Sequence, residues 1–321
     1  MIKLFKEEKN KLVIIENEND IFSKIEERMW IHLDEPSSDE VIMLCKKINF
    51  NQDLLLNTLD DEEMAHLDTD DDLTLIIFDI PLKVEETFET VPLAIIYNDK
   101  YYVTICTKEI NWNEFGLNKI KKLEPHKHVR TTLKLLQLIV SKYISSLKYL
   151  DSKRNDLENS LHSSMKNKEL LDLMALNKTF VYFSTSLNAN KVVLGKLKRL
   201  PEYKQYEADF ELIEDVEIEN NQAVEMCSIY RDILAGMMDA FASIISNNLN
   251  IVMKVLAIIT LVISIPTTIA SLFGMNVKVP LQHNDFGFWI VLILSLLLSL
   301  LGAWILFVYT SRISRTKKSK K

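Results

Sequence analysis

The sequence predicts an α+β protein, with an N-terminal α/β cytoplasmic domain containing a mixed sheet, a long helical stalk and two C-terminal transmembrane helices. Three observations predict this fold class. Short apolar runs typical of strands alternate with helical patterns over residues 1–125. Helix breakers are sparse from residue 126 to residue 273. Two uncharged apolar spans follow the soluble part, and each is long enough to cross a bilayer.

Charge is unevenly distributed along the chain. Removing the six positive charges of residues 311–321 from the formal net charge of −7 leaves −13 on the rest. An acidic bulk argues against nucleic acid as a partner and suits a protein that handles cations, although acidity also keeps a cytosolic domain soluble.

Motifs for other function classes are missing from the sequence. The three cysteines lie far apart, so neither a zinc site nor a disulfide framework is expected. The N-terminus has no apolar h-region typical of a secretory signal. There is no P-loop, nucleophile elbow, His-Glu-x-x-His or dinucleotide fingerprint, so we expect no enzyme.

The first domain, residues 1–125, has five strand-like runs. They are residues 11–16, 28–33, 73–79, 91–97 and 100–106. Asn98 and Asp99 between the last two predict a hairpin turn. Ser37, which precedes a helical apolar pattern, predicts a capped helix.

An acidic block interrupts this domain. Its members are Asp60, Asp61, Glu62, Glu63, Asp68, Asp70, Asp71 and Asp72. Clustered carboxylates hold hard cations such as Mg²⁺, but the spacing does not match an EF-hand. A solvated loop is the commoner outcome for such a block, and the sequence leaves both interpretations open.

Long helices are predicted next. Residues 126–210 carry two helical apolar patterns that meet near residues 162–167, which indicates long antiparallel cytoplasmic helices. The pattern of residues 211–273 predicts one stalk helix that continues into the first transmembrane helix. The membrane part is expected at about 253–273.

A polar stripe marks the first membrane helix. Residues 255–273 carry no charge and span about 28 Å, close to the hydrocarbon thickness. Small and polar residues recur in steps of three and four on one face, which favours a helix that lines a polar path or packs on copies of itself. The candidate pore-lining residues are Asp239, Asn250, Met253, Leu256, Thr260, Ser264, Thr267 and Ser271. Pro266 frees one carbonyl, which the Thr267 and Thr268 hydroxyls or a kink are expected to accommodate.

The flanking charges predict the topology. Gly274 is expected to end the first membrane helix, residues 274–285 form an external loop, residues 286–309 form the second membrane helix and residues 310–321 form a basic cytoplasmic tail. Basic residues are concentrated just before the first span and just after the second, so both termini are expected in the cytoplasm.

Two membrane helices cannot enclose a polar path, so a pore requires several copies of the chain. Asn276 would then form an outer ring and Asp239 an inner one. Amide oxygens suit a hydrated divalent cation, because Mg²⁺ gives up its water reluctantly.

The chain resembles the CorA family of magnesium transporters. The resemblance rests on Gly274-Met275-Asn276 after the first of two C-terminal membrane helices, combined with the acidic α/β domain, the long helices and the basic tail. The run Asn250-x-x-Met253-Lys254-x-Leu256 and the run Pro266-Thr-Thr-Ile-Ala are also similar to the family.

This resemblance implies a homopentamer in the cell (plasma) membrane that mediates Mg²⁺ influx, often with Co²⁺. Gly274, Met275 and Asn276 would form the ion entrance, while Asn250, Met253, Leu256 and Thr267 would face the pore. Regulatory Mg²⁺ would sit between neighbouring subunits, held by Asp215 and by one of Asp70, Asp71 and Asp72. Mg²⁺ would thus be both substrate and regulatory ligand, with membrane lipid and other copies of the chain as partners.

Two departures from the family pattern and two alternatives remain. The loop run Val279-Pro280-Leu281 lacks the family's acidic residue, and Ser264 stands where a bulkier residue is common. The alternatives are a zinc transporter of the same superfamily, disfavoured by Met275, and a two-span membrane sensor or scaffold that does not transport.

Overall fold

The computed structural model of the chain describes residues 1–8, 11–16, 21–70, 73–85, 87–120, 123–163, 167–276, 279–280 and 285–318. The chain forms two compact units, an N-terminal unit, Met1–Met238, and a C-terminal unit, Asp239–Lys321.

A mixed sheet is the centre of the N-terminal unit. In the described part of the chain its strands are β1 Ile2–Glu8, β2 Lys11–Glu16, β3 Trp30–Asp34, β4 His66–Asp70, β5 Leu73–Val84, β6 Thr87–Tyr97 and β7 Tyr102–Cys106. The order is β2-β1-β3-β7-β6-β5-β4, and all neighbours are antiparallel except the parallel pair β3–β7. The predicted mixed sheet is therefore confirmed.

One face of the sheet packs on two short helices, α1 Ser38–Ile48 and α2 Gln52–Asn57. The predicted cap of α1 is confirmed as a capping box. The Glu40 N–H donates to Ser37 Oγ at 3.3 Å, and the Ser37 N–H donates to Glu40 Oε2 at 2.9 Å. Burial of Val41 and Leu44 of α1 against this face forms the core there.

The acidic block is not a continuous loop. His66–Asp70 forms the edge strand β4, with Leu67 opposite Ile76 and Asp70 opposite Leu73 of β5. An edge strand tolerates this composition because β5 supplies one hydrogen-bonded ladder while the acidic side chains discourage further pairing on the open side. Asp71 and Asp72 lie outside the described residues.

Longer helices cover the other face of the sheet. After the short α3, Trp112–Phe115, come α4, His128–Ser163, and α5, Asn167–Leu197. Aromatic contacts join Phe183 of α5 to Phe88 of β6 and to Tyr143 of α4. Asn190 of α5 bonds both backbone groups of Asp79, each at 2.9 Å. These two hydrogen bonds satisfy backbone groups of β5 at a point where the neighbouring strand β4 has already ended.

Two further helices complete the described chain, α6, Glu207–Phe273, and α7, Gly287–Lys318. Each contains a stretch long and apolar enough to cross a membrane. The N-terminal part of α6 packs on α5, where the Asn220 amide donates to the Leu187 carbonyl at 3.1 Å. The buried residues of α6 in this part include Ile213, Val216, Ala223, Cys227 and Leu234, which share one face.

Candidate functional site in the membrane segment

One face of the membrane segment of α6 packs on α7. Its partly buried residues are Ile258, Leu261, Val262, Ile265, Pro266 and Ile269. Ser299 of α7 donates its hydroxyl to the Val262 carbonyl at 2.7 Å. Gly302 lies so close that an added Cβ would be 3.2 Å from Leu261 and 3.4 Å from Ile265. This face is therefore occupied within a single chain.

The polar stripe lies on the opposite face of α6. At 100° per residue, its members fall roughly 120–240° around the helix from Val262. Every predicted pore-lining residue is exposed, including the apolar members Met253 (57% exposed) and Leu256 (53%). The exposed set is Asp239, Asn250, Met253, Leu256, Thr260, Ser264, Thr267 and Ser271. Packing against α7 thus does not account for the stripe.

Hydroxyls of the stripe bond to their own helix. Thr260 donates to the Leu256 carbonyl at 2.9 Å, and Thr267 donates to the Ile263 carbonyl at 2.7 Å. Each hydroxyl donates its one proton to its own helix. Its oxygen can still accept hydrogen bonds from outside the helix. Water bound to a cation is a hydrogen-bond donor, and such a row of acceptors suits a hydrated cation.

The carbonyl that Pro266 frees has a different hydrogen-bond donor from the two threonines that we expected. Thr267 and Thr268 donate to the carbonyls of Ile263 and Ser264, because a helical hydroxyl reaches the carbonyl four residues back. The carbonyl freed by Pro266 belongs to Val262, and Ser299 of α7 satisfies it. The expectation that Thr267 or Thr268 serves this carbonyl is therefore wrong.

The Gly-Met-Asn run follows the end of α6 at Phe273. The Gly274 N–H donates to the Ala270 carbonyl at 2.9 Å, and a Cβ at Gly274 would lie 3.3 Å from that oxygen. Met275 and Asn276 are exposed just beyond the helix. Most of the following loop, at residues 277–278 and 281–284, lies outside the described residues.

The structure describes two of the predicted regulatory residues, Asp215 and Asp70. Asp215 is exposed on α6, and Asp70 is exposed at the end of β4. In the part of the chain that the structure describes, no three His, Cys, Asp or Glu side chains form a group that could hold a metal ion. Asp71 and Asp72 are outside that part, so the role of this set stays a prediction.

A buried polar network at the centre of the sheet was missed by the sequence reasoning. His32 lies between Thr104 Oγ1, 2.7 Å from its Nδ1, and Asp34 Oδ1, 2.9 Å from its Nε2. Asp34 is ionised and can only accept, so His32 Nε2–H donates to it, and the neutral imidazole accepts at Nδ1 from the Thr104 hydroxyl. The Thr104 oxygen in turn accepts from Trp30 Nε1 at 2.8 Å. The spacing of His32 and Asp34 on one strand face was the available signal.

Electrostatics keep this network in one protonation state. Burial lowers the pKa of His32. Burial opposes ionisation of Asp34 too, but hydrogen bonds from His32, Lys3 and the Ile110 N–H outweigh it and lower the Asp34 pKa to about 2. His32 and Asp34 are fully buried, so the network stabilises the sheet and offers no surface to a substrate.

Comparisons with known proteins agree with this architecture. The CorA-like Mg²⁺ transporter protein family matches residues 26–317. The cobalt/magnesium transport protein CorA of Methanocaldococcus jannaschii is 30% identical over 287 residues, which cover 86% of this chain and 89% of the relative. The cobalt/magnesium transport protein CorA of Thermotoga maritima is 28% identical over 160 residues, or 49% of this chain and 45% of the relative.

Structural similarity extends over nearly the whole chain. The complete structure of the CorA magnesium transporter from Methanocaldococcus jannaschii superposes with a TM-score of 0.77 at 27% identity, covering 95% of this chain and 96% of that one. The predicted resemblance and fold class are confirmed. The chain belongs to the CorA-like Mg²⁺ transporter family and is a multi-pass membrane protein for divalent cation transport, not an enzyme.

Proposed function

We propose that this chain is a channel for Mg²⁺ and Co²⁺, in which the membrane segments of α6 from several copies line one pore. The observation that carries the proposal is the position of the polar stripe. It is exposed on the face of α6 opposite to α7, and its polar groups would be unfavourable if they faced lipid. A ring of copies gives that face an aqueous path.

The ion is expected to pass with its hydration water. No carboxylate lies between Lys254 and Asn276, so this segment has no charged side-chain oxygen that could replace the water bound to Mg²⁺. Gly274 and Met275 follow the end of the helix and bring Asn276 to the outer entrance. The amide oxygens of Asn276 would bind the hydrated ion there. The hydroxyls of Thr260, Ser264 and Thr267 would then accept hydrogen bonds from its water.

Apolar rings would close the inner half of the pore. Met253 and Leu256 are exposed on the same face as the hydroxyls, one turn apart. A ring of such side chains excludes water when it is narrow, which stops a hydrated ion without binding it. Asn250 and Asp239 would lie below this gate and attract cations at the inner mouth.

The chain is proposed to lie in the cell membrane with both termini in the cytoplasm. Lys254 precedes the first span, and the basic residues of 311–321 follow the second. Positive charge next to membrane spans is retained on the cytoplasmic side. Uptake therefore runs from the Asn276 end to the Asp239 end.

Feedback closure by cytoplasmic Mg²⁺ is the second part of the proposal. The copies would form a homopentamer, as the family resemblance implies. Asp215 is exposed and forms no ion pair within the described chain, so its carboxylate is available to a cation shared with a neighbour's Asp70–Asp72 region. Loss of this Mg²⁺ would leave acidic faces repelling one another and would favour opening.

Ion flux into proteoliposomes tests the transport activity. We expect uptake of Mg²⁺ and Co²⁺ by the wild-type chain and loss of at least about tenfold in Asn276→Ala, the change that removes about 1.4 kcal/mol of transition-state stabilisation. Preferred uptake of Zn²⁺ would instead support the zinc transporter. A folded protein without any flux would support the sensor or scaffold.

Internal Mg²⁺ tests the feedback. In Asp215→Ala, flux should persist when the vesicles are loaded with high Mg²⁺, whereas wild type and Glu211→Ala, which changes another exposed acid of α6, should close. Normal closure of Asp215→Ala would show that Asp215 does not hold the regulatory ion.

A further inference from the structure

Pro266 leaves a gap in the hydrogen-bond ladder of the membrane helix. A residue at this position would normally donate its N–H to the carbonyl of Val262, four residues earlier, but proline has no N–H. In the hydrocarbon core no water is present to satisfy the carbonyl. The Val262 carbonyl therefore needs a donor from elsewhere in the protein.

Ser299 of α7 supplies that donor. Its Oγ lies 2.7 Å from the Val262 oxygen, and the residue is only 2% exposed. Ser295, one turn away on the same helix, is equally buried at 4% but donates to the carbonyl of Leu292 on its own helix at 2.8 Å. Burial is thus shared by both serines, while the bond across the helices is made by Ser299.

Gly302 closes the contact one turn further along α7. A Cβ there would lie 3.2 Å from Leu261 Cδ2 and 3.4 Å from Ile265 Cδ1, so the absence of a side chain lets α7 approach α6 closely here. We name Ser299 and Gly302, with the Val262 carbonyl, the interhelical clasp. It holds the turn of α6 that contains Pro266.

We propose that Ser299 is a positioning residue for the membrane segment of α6, because its hydroxyl replaces the hydrogen bond that Pro266 removes and so fixes α6 against α7 at this turn. Ser264 and Thr267 flank Pro266 and face away from α7. The direction in which their hydroxyls point depends on the bend and rotation of this turn. The clasp sets both.

A double-mutant cycle tests the clasp in the full-length protein. In Ser299→Ala the Val262 carbonyl loses its donor, so the equilibrium constant for unfolding in a graded detergent mixture should rise about 3- to 18-fold, the range for hydrogen bonds between membrane helices. Ser295→Ala is the matched control, and it should change the constant less, since its hydroxyl bonds within α7. Equal effects of the two substitutions would overturn the proposal.

The effect of Ser299→Ala is then measured in a protein that also carries Pro266→Ala. An alanine N–H restores the bond to Val262 within α6, so Ser299→Ala should then have almost no effect on unfolding. An undiminished effect would show that Ser299 contributes only packing. Gly302→Ala should have the same effect in both backgrounds, because its contact with Leu261 does not depend on the donor. Rescue of Gly302→Ala by Pro266→Ala would also contradict the proposal.

Mg²⁺ flux through the same variants tests the positioning role and rests on the proposed function. Mg²⁺ flux should be lower in Ser299→Ala than in the wild type. In the variant that combines Ser299→Ala with Pro266→Ala, flux should equal that of Pro266→Ala alone. Flux of Ser299→Ala at the wild-type level would remove the positioning role. If the wild-type chain shows no flux, the unfolding cycle still decides whether the clasp exists, so the two proposals fail separately.

Discussion

Polar side chains are used in opposite ways in the two units of this chain. In the N-terminal unit, His32, Asp34 and Thr104 are buried and bonded to one another, with 72 residues separating His32 from Thr104. In the C-terminal unit, Thr260 and Thr267 are exposed and bond only to carbonyls of their own helix in the described chain. One set completes its contacts within a single chain, and the other leaves its outer face open.

The difference follows from the surroundings of each set. A polar group in a dry interior must be paired, because an unpaired one loses its hydration without compensation. A lipid-facing hydroxyl that donates to its own helix still has an oxygen that accepts no hydrogen bond from lipid, so a row of them on a membrane helix favours water or other copies of the chain on that side. The N-terminal network stabilises the fold, whereas the stripe is available for function.

Breaking the buried network should have the largest effect. Asp34→Ala removes the partner of His32, Lys3 and the Ile110 N–H, and we expect the free energy of unfolding of the N-terminal unit to fall by about 3 kcal/mol. Denaturant titration followed by tryptophan fluorescence measures it. Asp156→Ala, at an exposed position of α4, should stay within about 0.5 kcal/mol of wild type. A loss for Asp34→Ala as small as for this control would contradict the comparison.

Removing one stripe hydroxyl should impair transport without affecting stability. Thr267→Val keeps the side-chain shape and removes the acceptor, so we expect Mg²⁺ flux to fall about tenfold, equivalent to about 1.4 kcal/mol. The unfolding transition should not move, because the hydroxyl is exposed and bonds only its own backbone.

Thr268→Val is the matched control for the stripe. Thr268 is also exposed and also donates to a carbonyl four residues back, at 2.8 Å, but its side chain lies about 100° around the helix from that of Thr267. Its flux should remain close to wild type. If both substitutions reduced flux equally, the stripe would be a packing seam rather than the wall of a path.

Acid should weaken the N-terminal unit through two histidines, the buried His32 and the half-buried His128. His128 packs against the rings of Tyr97 and Tyr102, and burial lowers its pKa from 6.5 to about 4. Between these values the unfolded chain binds a proton that the folded chain does not, so stability falls as pH drops below 6.5 and the loss is complete near 4.

His128→Gln should flatten this dependence, by about 1 kcal/mol at pH 5.5 after allowance for partial solvent screening. Thermal unfolding between pH 7 and pH 5 measures the slope. His126→Gln, two residues earlier and exposed, serves as control. An unchanged slope in His128→Gln would mean that the remaining groups, including His32, account for the acid sensitivity.

A surface ion pair should have the smallest effect. Lys198 lies 2.9 Å from Glu217 and 3.1 Å from Glu214, and these hydrogen bonds raise its pKa. Because such pairs are solvated, Lys198→Met should cost only about 0.5 kcal/mol, and less in high salt. A cost near that of Asp34→Ala would show that burial does not separate strong from weak polar contacts in this unit.

Local patterns determined much of the protein. The apolar spans, the stripe in steps of three and four, the capping box at Ser37 and the apolar runs of the central strands are all properties of neighbouring residues. Each follows from helix or strand geometry without any tertiary contact. The family resemblance likewise rested on short runs around Asn250, Pro266 and Gly274.

Only the tertiary structure decided the contacts between distant residues. The strand β4 needs β5 as its partner, His32 needs Thr104, and the Val262 carbonyl needs Ser299, which lies 37 residues later. None of these partners follows from local spacing, because the pairing depends on register and on which helix faces approach. The sequence could therefore identify the carbonyl that Pro266 frees, while the packing of α7 on α6 selected the hydroxyl that satisfies it.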